Sequence, residues 1–191
     1  EIAKGYSFVI NAGAILKAGA DCNITIHGTF ISEGDLSNEN IITSLADDEY
    51  GGDTDGNGSS SGSQMPWGGI YFSRYCNDIS NIEFTTFRFG GRSSYTQNAV
   101  LYFESCSLKM EYSTIEHAAY QGIFCHKKSS PDLGGGVKNS KGHNTFTGFS
   151  SPNYVIVNNT TAGIYAQNNC WGSDDEDHIS SLIYDQEDRS A

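Results

Sequence analysis

Asp53-Thr54-Asp55-Gly56-Asn57-Gly58 sets three oxygen-bearing side chains at alternate positions of a short glycine-rich stretch. Calcium takes about six to eight hard oxygen ligands, and alternate residues of a tight loop converge on one point. Asp53, Asp55 and Asn57 would supply side-chain oxygens and Ser59 a carbonyl, with Gly58 allowing the sharp turn between them. Asp47, Asp48 and Glu49 stand just upstream and reach the same point if the loop folds back. The expected calcium set is therefore Asp47, Asp48, Asp53, Asp55, Asn57 and Ser59. The competing reading is a solvated Gly/Ser-rich excursion with no metal, which accounts for the composition equally well.

The spacing matches the opening of an EF-hand-type loop, with Gly58 at its sixth position. The twelfth position is Gln64, where a bidentate Glu is expected, so the site loses a charge. No helical pattern flanks the loop, so only the ligand geometry is shared. A second acidic cluster, Asp174 to Asp177 with Asp185, Glu187 and Asp188, reads first as solvated surface, with cation binding as the sharper alternative.

Other chemistry is thinner. A polysaccharide lyase needs a Lys or Arg base, and Arg88, Arg92, Glu116 and His117 form a conceivable groove. No lyase active-site motif accompanies them. No two of the five His have HxH or HxxxH spacing, and GxSxG and Walker patterns are missing. Tyr71, Tyr95, Tyr102 and Tyr120 are candidates to point outward and stack on sugars, since alternate side chains of a strand face alternate sides. Cys22, Cys76, Cys106, Cys125 and Cys170 include no CxxC. Buried thiols are expected, with one or two disulfides open in an oxidising compartment and pairing unreadable from spacing.

These residues must be positioned by strands. Net charge is −12, which argues against nucleic acid as a partner. No apolar run is long enough to span a bilayer. Glu1 leads almost directly into Tyr6-Ser7-Phe8-Val9-Ile10, as expected of a mature or excised piece of a longer chain. Short β-branched and aromatic runs are broken by Gly and Asn, and no amphipathic helix persists for three turns. Ile82-Glu83-Phe84-Thr85-Thr86-Phe87 and Met110-Glu111-Tyr112-Ser113-Thr114-Ile115 share one pattern: alternation, then a change of parity across two small hydroxyl residues. A repeat of that length with a bend at a fixed place indicates a solenoid. Ile24, Ile26, Ile70, Phe72, Ile82, Phe84, Met110, Tyr112, Ile123 and Ile164 are the expected apolar rows. Ala99–Phe103, Gly122–Cys125, Tyr154–Val157 and Gly163–Ala166 are further strand candidates, with Gly134–Gly136 and Ser150–Asn153 as loops. Asn144 and Asn169 are placed to satisfy backbone groups at corners, or are ordinary turn residues. Trp171 is expected to be largely buried near the end of the stack. The division is one domain over 1–191, with a long acidic loop at 47–64 and a polar C-terminal extension at 173–191.

Three stretches together resemble a bacterial surface β-helix family. Gly28-Thr29-Phe30-Ile31-Ser32-Glu33-Gly34 precedes Ile41-Ile42-Thr43-Ser44, similar to a "G-T-L-x-A-x-G" step before "I-x-F-T-S". Asp47 to Gly58 looks like an acidic "DD-x-x-GGDT-N-x-DG" insertion that lands on "W-G-G-I", here Trp67-Gly68-Gly69-Ile70. Ala166-Gln167-Asn168-Asn169-Cys170-Trp171-Gly172 looks like an "A-x-N-N-[YW]-W-G" ending, with Cys170 where an aromatic is usual. The resemblance implies an all-β fold, a right-handed single-stranded parallel β-helix (solenoid), in secreted or cell-surface proteins with neighbouring domains. The functional expectation is a structural or binding module for adhesion or a polysaccharide or cell-surface glycan, with a calcium-stabilised loop. The alternative is a polysaccharide-active lyase or hydrolase of the pectate-lyase-like fold.

Overall fold

A computed structural model of the chain describes residues 1–20, 22–149 and 152–189; Ser150 and Ser151 of the expected 150–153 loop lie outside them. In chain order the strands are β1 (Ser7–Asn11), β2 (Ile15–Ala18), β3 (Asn23–Ile26), β4 (Thr29–Glu33) and β5 (Asn40–Ser44). There follow β6 (Gly69–Phe72), β7 (Asn81–Glu83), β8 (Thr85–Arg88), β9 (Ala99–Glu104) and β10 (Lys109–Glu111). The last are β11 (Thr114–Glu116), β12 (Gln121–Lys127), β13 (Thr145–Thr147), β14 (Ile156–Thr160) and β15 (Ile183–Tyr184). The α-helices among the described residues are short: α1 (Glu176–Ser181) and α2 (Gln186–Arg189). None is long and apolar enough to cross a membrane.

Every pair of these strands is parallel, and consecutive strands fall in different sheets, except that β14 and β15 share one. The orders are β1-β4-β7-β10, β2-β5-β8-β11-β13 and β3-β6-β9-β12-β14-β15. Single bridges extend the first two sheets, through Lys109, Asp132 and Tyr165 in one and from Thr145 to Cys170 in the other. The strand expected over 163–166 is thus reduced to the bridge at Tyr165. The arrangement is all-β and consistent with a parallel β-helix.

Stacking places like on like, which is how parallel sheets bury both faces. In the third sheet Ile24, Ile70, Leu101, Ile123, Ile156 and Ile183 are successive register partners. Ile26, Phe72, Phe103 and Cys125 form a second inward row, all fully buried. The 28-residue repeat read from the sequence is a register: Ile82 pairs with Met110, Phe87 with Ile115, and Thr85 bonds Ser113, 28 positions on.

Two of the expected core residues are not in the core. Phe84 (φ 44°) and Tyr112 (φ 50°) sit in the left-handed region, so the chain turns a corner at each ring and carries it outside. Tyr112 is exposed, and its ring stacks on Phe84 at 4.8 Å and on His143 at 5.0 Å. The small residue that follows each corner turns in instead: Thr85 and Ser113 are buried.

Inside this corner runs a polar ladder. Asn144 is fully buried, its Oδ1 accepts from Ser113 N–H at 3.1 Å, and its amide donates to the Met110 and Leu133 carbonyls. Asn169 repeats the step by accepting from Asn144 N–H at 2.9 Å. The corner role considered for both asparagines is the one they play. Past Gly172, Asp175 caps α1 by accepting from the Asp177 and His178 N–H groups, and the chain returns so that Leu182 is buried and β15 joins β14. Trp171 is half-buried, 5.0 Å from the Phe146 ring, rather than largely buried as expected: it follows Cys170, the last bridge of its sheet among the described residues, and rests on the core from one side.

Candidate functional site

The acidic loop leaves β5 and returns at Trp67, and both ends are anchored. Trp67 is fully buried and its indole N–H donates to the Arg88 carbonyl at 2.7 Å. Gly68 and Gly69 follow because nothing larger fits. A Cβ on Gly68 would strike the Asn23 side chain, and one on Gly69 the Ala99 carbonyl. Gly69 also has φ 126°, closed to other residues. The Trp-Gly-Gly-Ile landing is thus a core plug, two close backbone approaches and a residue of an inward row.

Arg88, at the end of β8, holds the other end. Its side chain is 6% exposed; Nη2 donates to Glu49 at 2.6 Å, and Nε lies 3.5 Å from Asp47 and 3.0 Å from Glu116. The Glu116 contact is charge on charge without hydrogen-bond alignment, leaving Nε unpaired by direction. The Tyr50 ring covers the guanidinium at 4.7 Å. Burial works against the charged guanidinium, but the Glu49 hydrogen bond and the charges of Asp47, Glu116 and Glu49 outweigh it and raise the Arg88 pKa. The Arg88 hydrogen bond and charge hold Glu49 below the usual carboxylate range. The loop is further tied by Lys17 to the Gly52 carbonyl at 2.6 Å, and by Ser60 to the Ala46 carbonyl at 2.9 Å.

Of the sequence-predicted calcium residues, the structure brings three together. Asp48, Asp53 and Asp55 each offer an oxygen within 4.8 Å of the others. Asp53 accepts the Gly56 and Gly58 N–H groups at 2.7 and 3.0 Å, and these backbone donors, Gly58 first, lower its pKa. Asp48 Oδ2 takes the Ser60 N–H at 2.6 Å, while Oδ1 is buried with no hydrogen-bond partner. Asn57 joins through its amide, which donates to Asp55 Oδ2 at 2.8 Å. Ser59 is an exposed loop residue beside the cluster. Asp47 points the other way: it is buried, accepts from the Thr43 hydroxyl at 2.6 Å and faces Arg88. By spacing Asp47 and Asp48 are equivalent, but the chain turns as it leaves β5, so Asp47 stays against Thr43 and Arg88 while Asp48 reaches Ser60.

The four residues of the lyase reading divide in the same way. Arg88 and Glu116 belong to the buried network. Arg92 and His117 line an open groove of about 440 Å³ together with Phe89 and Tyr120. Sequence reasoning missed Arg88 as a strut, although a signal existed: the 28-residue repeat sets this Arg opposite Glu116, opposite charges at one place of the repeat.

Outward residues of the third sheet form a row of register partners, Thr25, Tyr71, Tyr102, Phe124, Val157 and Tyr184. Tyr71 stacks on Tyr102 at 5.2 Å and meets the exposed Tyr95 edge-on at 5.1 Å. Lys127 and the Tyr71 hydroxyl both bond Glu104, which holds that carboxylate below its usual range. Tyr120 lies apart, in the Arg92 groove. Cys76 and Cys106, in the loops after β6 and β9, form a disulfide with Cα atoms 5.8 Å apart, a normal span. Cys125 is buried as a free thiol, while Cys22 and Cys170 are exposed.

Residues 96–176 match the family described as protein of unknown function (DUF1565). The matched stretch runs from the turn before β9 to the start of α1. It includes the Ala166–Gly172 motif and leaves out the acidic loop and its Trp-Gly-Gly-Ile landing. No curated protein and no solved structure matches the chain.

Proposed function

We propose that this chain is a structural and binding module of a secreted or surface-displayed protein: a right-handed single-stranded parallel β-helix with a calcium-held loop and outward faces for glycan or adhesive contact. The observation that carries the reading is the state of Arg88. The strongest candidate base for a lyase is buried against three carboxylates and held protonated, so it serves as a strut for the acidic loop rather than as a proton acceptor. Convergence of Asp48, Asp53 and Asp55, with an unpaired buried oxygen on Asp48, supports calcium as the loop's ligand. The Cys76–Cys106 bond between neighbouring loops supports an oxidising, extracellular setting. The outward aromatic row supports contact with sugars, whose C–H faces pack on ring faces.

Two measurements test this. Calorimetric titration with calcium after chelation should give heat with the wild type and none with Asp53→Ala/Asp55→Ala. Incubation with pectate or alginate should yield no ultraviolet-absorbing unsaturated product. Turnover that is abolished by Arg88→Ala would replace this reading with the lyase.

A further inference from the structure

We propose that the groove between Phe124 and Tyr184, on the outward face of the third sheet, is a site for a neutral hexopyranose chain. The inference rests on the binding-module reading and assigns that binding one location and one ligand class. The groove encloses about 330 Å³ and is lined by Gln121, Phe124, Tyr154, Val157, Asn159 and Tyr184. That volume lies at the small end of the range for small-molecule sites. The register dictates it: Phe124, Val157 and Tyr184 are successive outward residues of β12, β14 and β15. Tyr154, just before β14, leans on Tyr184 with centroids 5.3 Å apart and planes at 46°, so the two rings form an angled wall.

The polar groups choose the ligand. Gln121 lines the groove and its Oε1 has no hydrogen-bond partner, so that a rotation of the amide toward the groove lets it accept from an incoming hydroxyl. Asn159 reaches the groove with a second amide, engaged only by a long 3.5 Å contact to His126. Ring faces flanked by amides that both donate and accept match the C–H faces and hydroxyls of a pyranose, whereas an acyl chain would leave the amides unanswered. Charge excludes the acidic sugars. All six lining residues are uncharged, and a chain of net charge −12 repels a polyanion.

The test uses the full chain on an array of neutral gluco-, manno- and galacto-oligosaccharides beside oligogalacturonates, then calorimetric titration with a neutral oligosaccharide that binds. Phe124→Ala and Gln121→Leu should each weaken binding about tenfold or more. Arg92→Ala, in the other groove, should leave it unchanged. Circular dichroism and Tm identify any variant that has lost its fold; Gln121→Leu, which removes no ring, then decides. Binding of oligogalacturonate alone, or neutral binding lost in Arg92→Ala and kept in Gln121→Leu, overturns this groove while the binding-module reading stands. An array with no bound oligosaccharide removes both.

Discussion

Arg88 and Glu116 are register partners on the adjacent strands β8 and β11, and Arg88 Nε lies 3.0 Å from Glu116 Oε1. The same guanidinium reaches back across 39 residues to Glu49. One side chain therefore joins two neighbouring strands and the acidic loop.

That junction makes Arg88 costly to remove. Arg88→Ala leaves the buried Asp47 carboxylate without its cation, and losing one partner of a buried ion pair costs about 3–5 kcal/mol. Arg88→Lys should recover only part of this, because an ammonium cannot serve Glu49 and Glu116 at once from a planar fork. Urea unfolding of the three proteins checks it. Equal midpoints would mean that the network contributes nothing.

Acid should weaken the loop anchor at Glu49 and the end of β9 at Glu104 together. The folded pKa values of Glu49 and Glu104 lie below the ordinary 4.5, the first through Arg88 and the second through Lys127 and Tyr71. A depressed carboxylate stabilises the fold fully above its unfolded value, and the contribution is lost as pH falls through the folded value. Tm should thus hold steady down to about pH 5 and fall below it. Glu49→Gln and Glu104→Gln should begin lower and decline less steeply. Parallel acid limbs for all three proteins would assign the acid sensitivity elsewhere.

Much of this was legible in the sequence, for reasons that individual residues make plain. Ile82 and Met110, at matching places of the repeat, could be paired because inward rows demand like residues. Phe84 and Tyr112 misled by the same logic: an apolar ring at an alternating position reads as inward unless the backbone turns at it. The left-handed φ that turns them out is a property of stacked corners, which no local pattern reveals. In the loop, the alternation of Asp53 and Asp55 foretold convergence. The opposite facing of Asp47 and Asp48 depended on Arg88, some 40 positions away, and three-dimensional partners at that distance are invisible to spacing.

The asparagine ladder should be intolerant of shape-preserving apolar replacement. Asn144→Leu strands the Ser113 N–H inside the corner and leaves the Met110 and Leu133 carbonyls with one donor each, the Ser140 hydroxyl and the Asn169 amide. Each buried group left unsatisfied costs about 1–3 kcal/mol, so the variant should lose more than a single hydrogen bond's worth. Asn169→Leu should cost less, because Asn169 is only half-buried. Thermal denaturation of both ranks them, and the reverse order would contradict the ladder.

The two tryptophans should separate clearly. Trp67→Ala empties a fully buried volume, where about 3–5 kcal/mol is expected, and also frees the Arg88 carbonyl. Trp171→Ala should lose about half as much, since only part of that ring is removed from water. Guanidinium unfolding curves of the two variants decide it. A larger loss at Trp171 would mean that the C-terminal segment depends on the ring more than its exposure implies.

Cysteine reactivity reports the same burial chemically. Cys125 stands in the inward row between Phe103 and Asn158, and burial pushes its thiol far up, which suppresses the reactive thiolate. Cys22 and Cys170 are exposed, and Cys76 with Cys106 is closed off as a disulfide. An aromatic disulfide reagent should therefore label Cys22 and Cys170 in the native protein, add Cys125 only in denaturant, and reach Cys76 and Cys106 only after reduction. The order is the informative part. Native labelling of Cys125 at the rate of the exposed pair would require β12 to open readily, and a strand paired on both sides at the centre of its sheet is the last place where opening is expected.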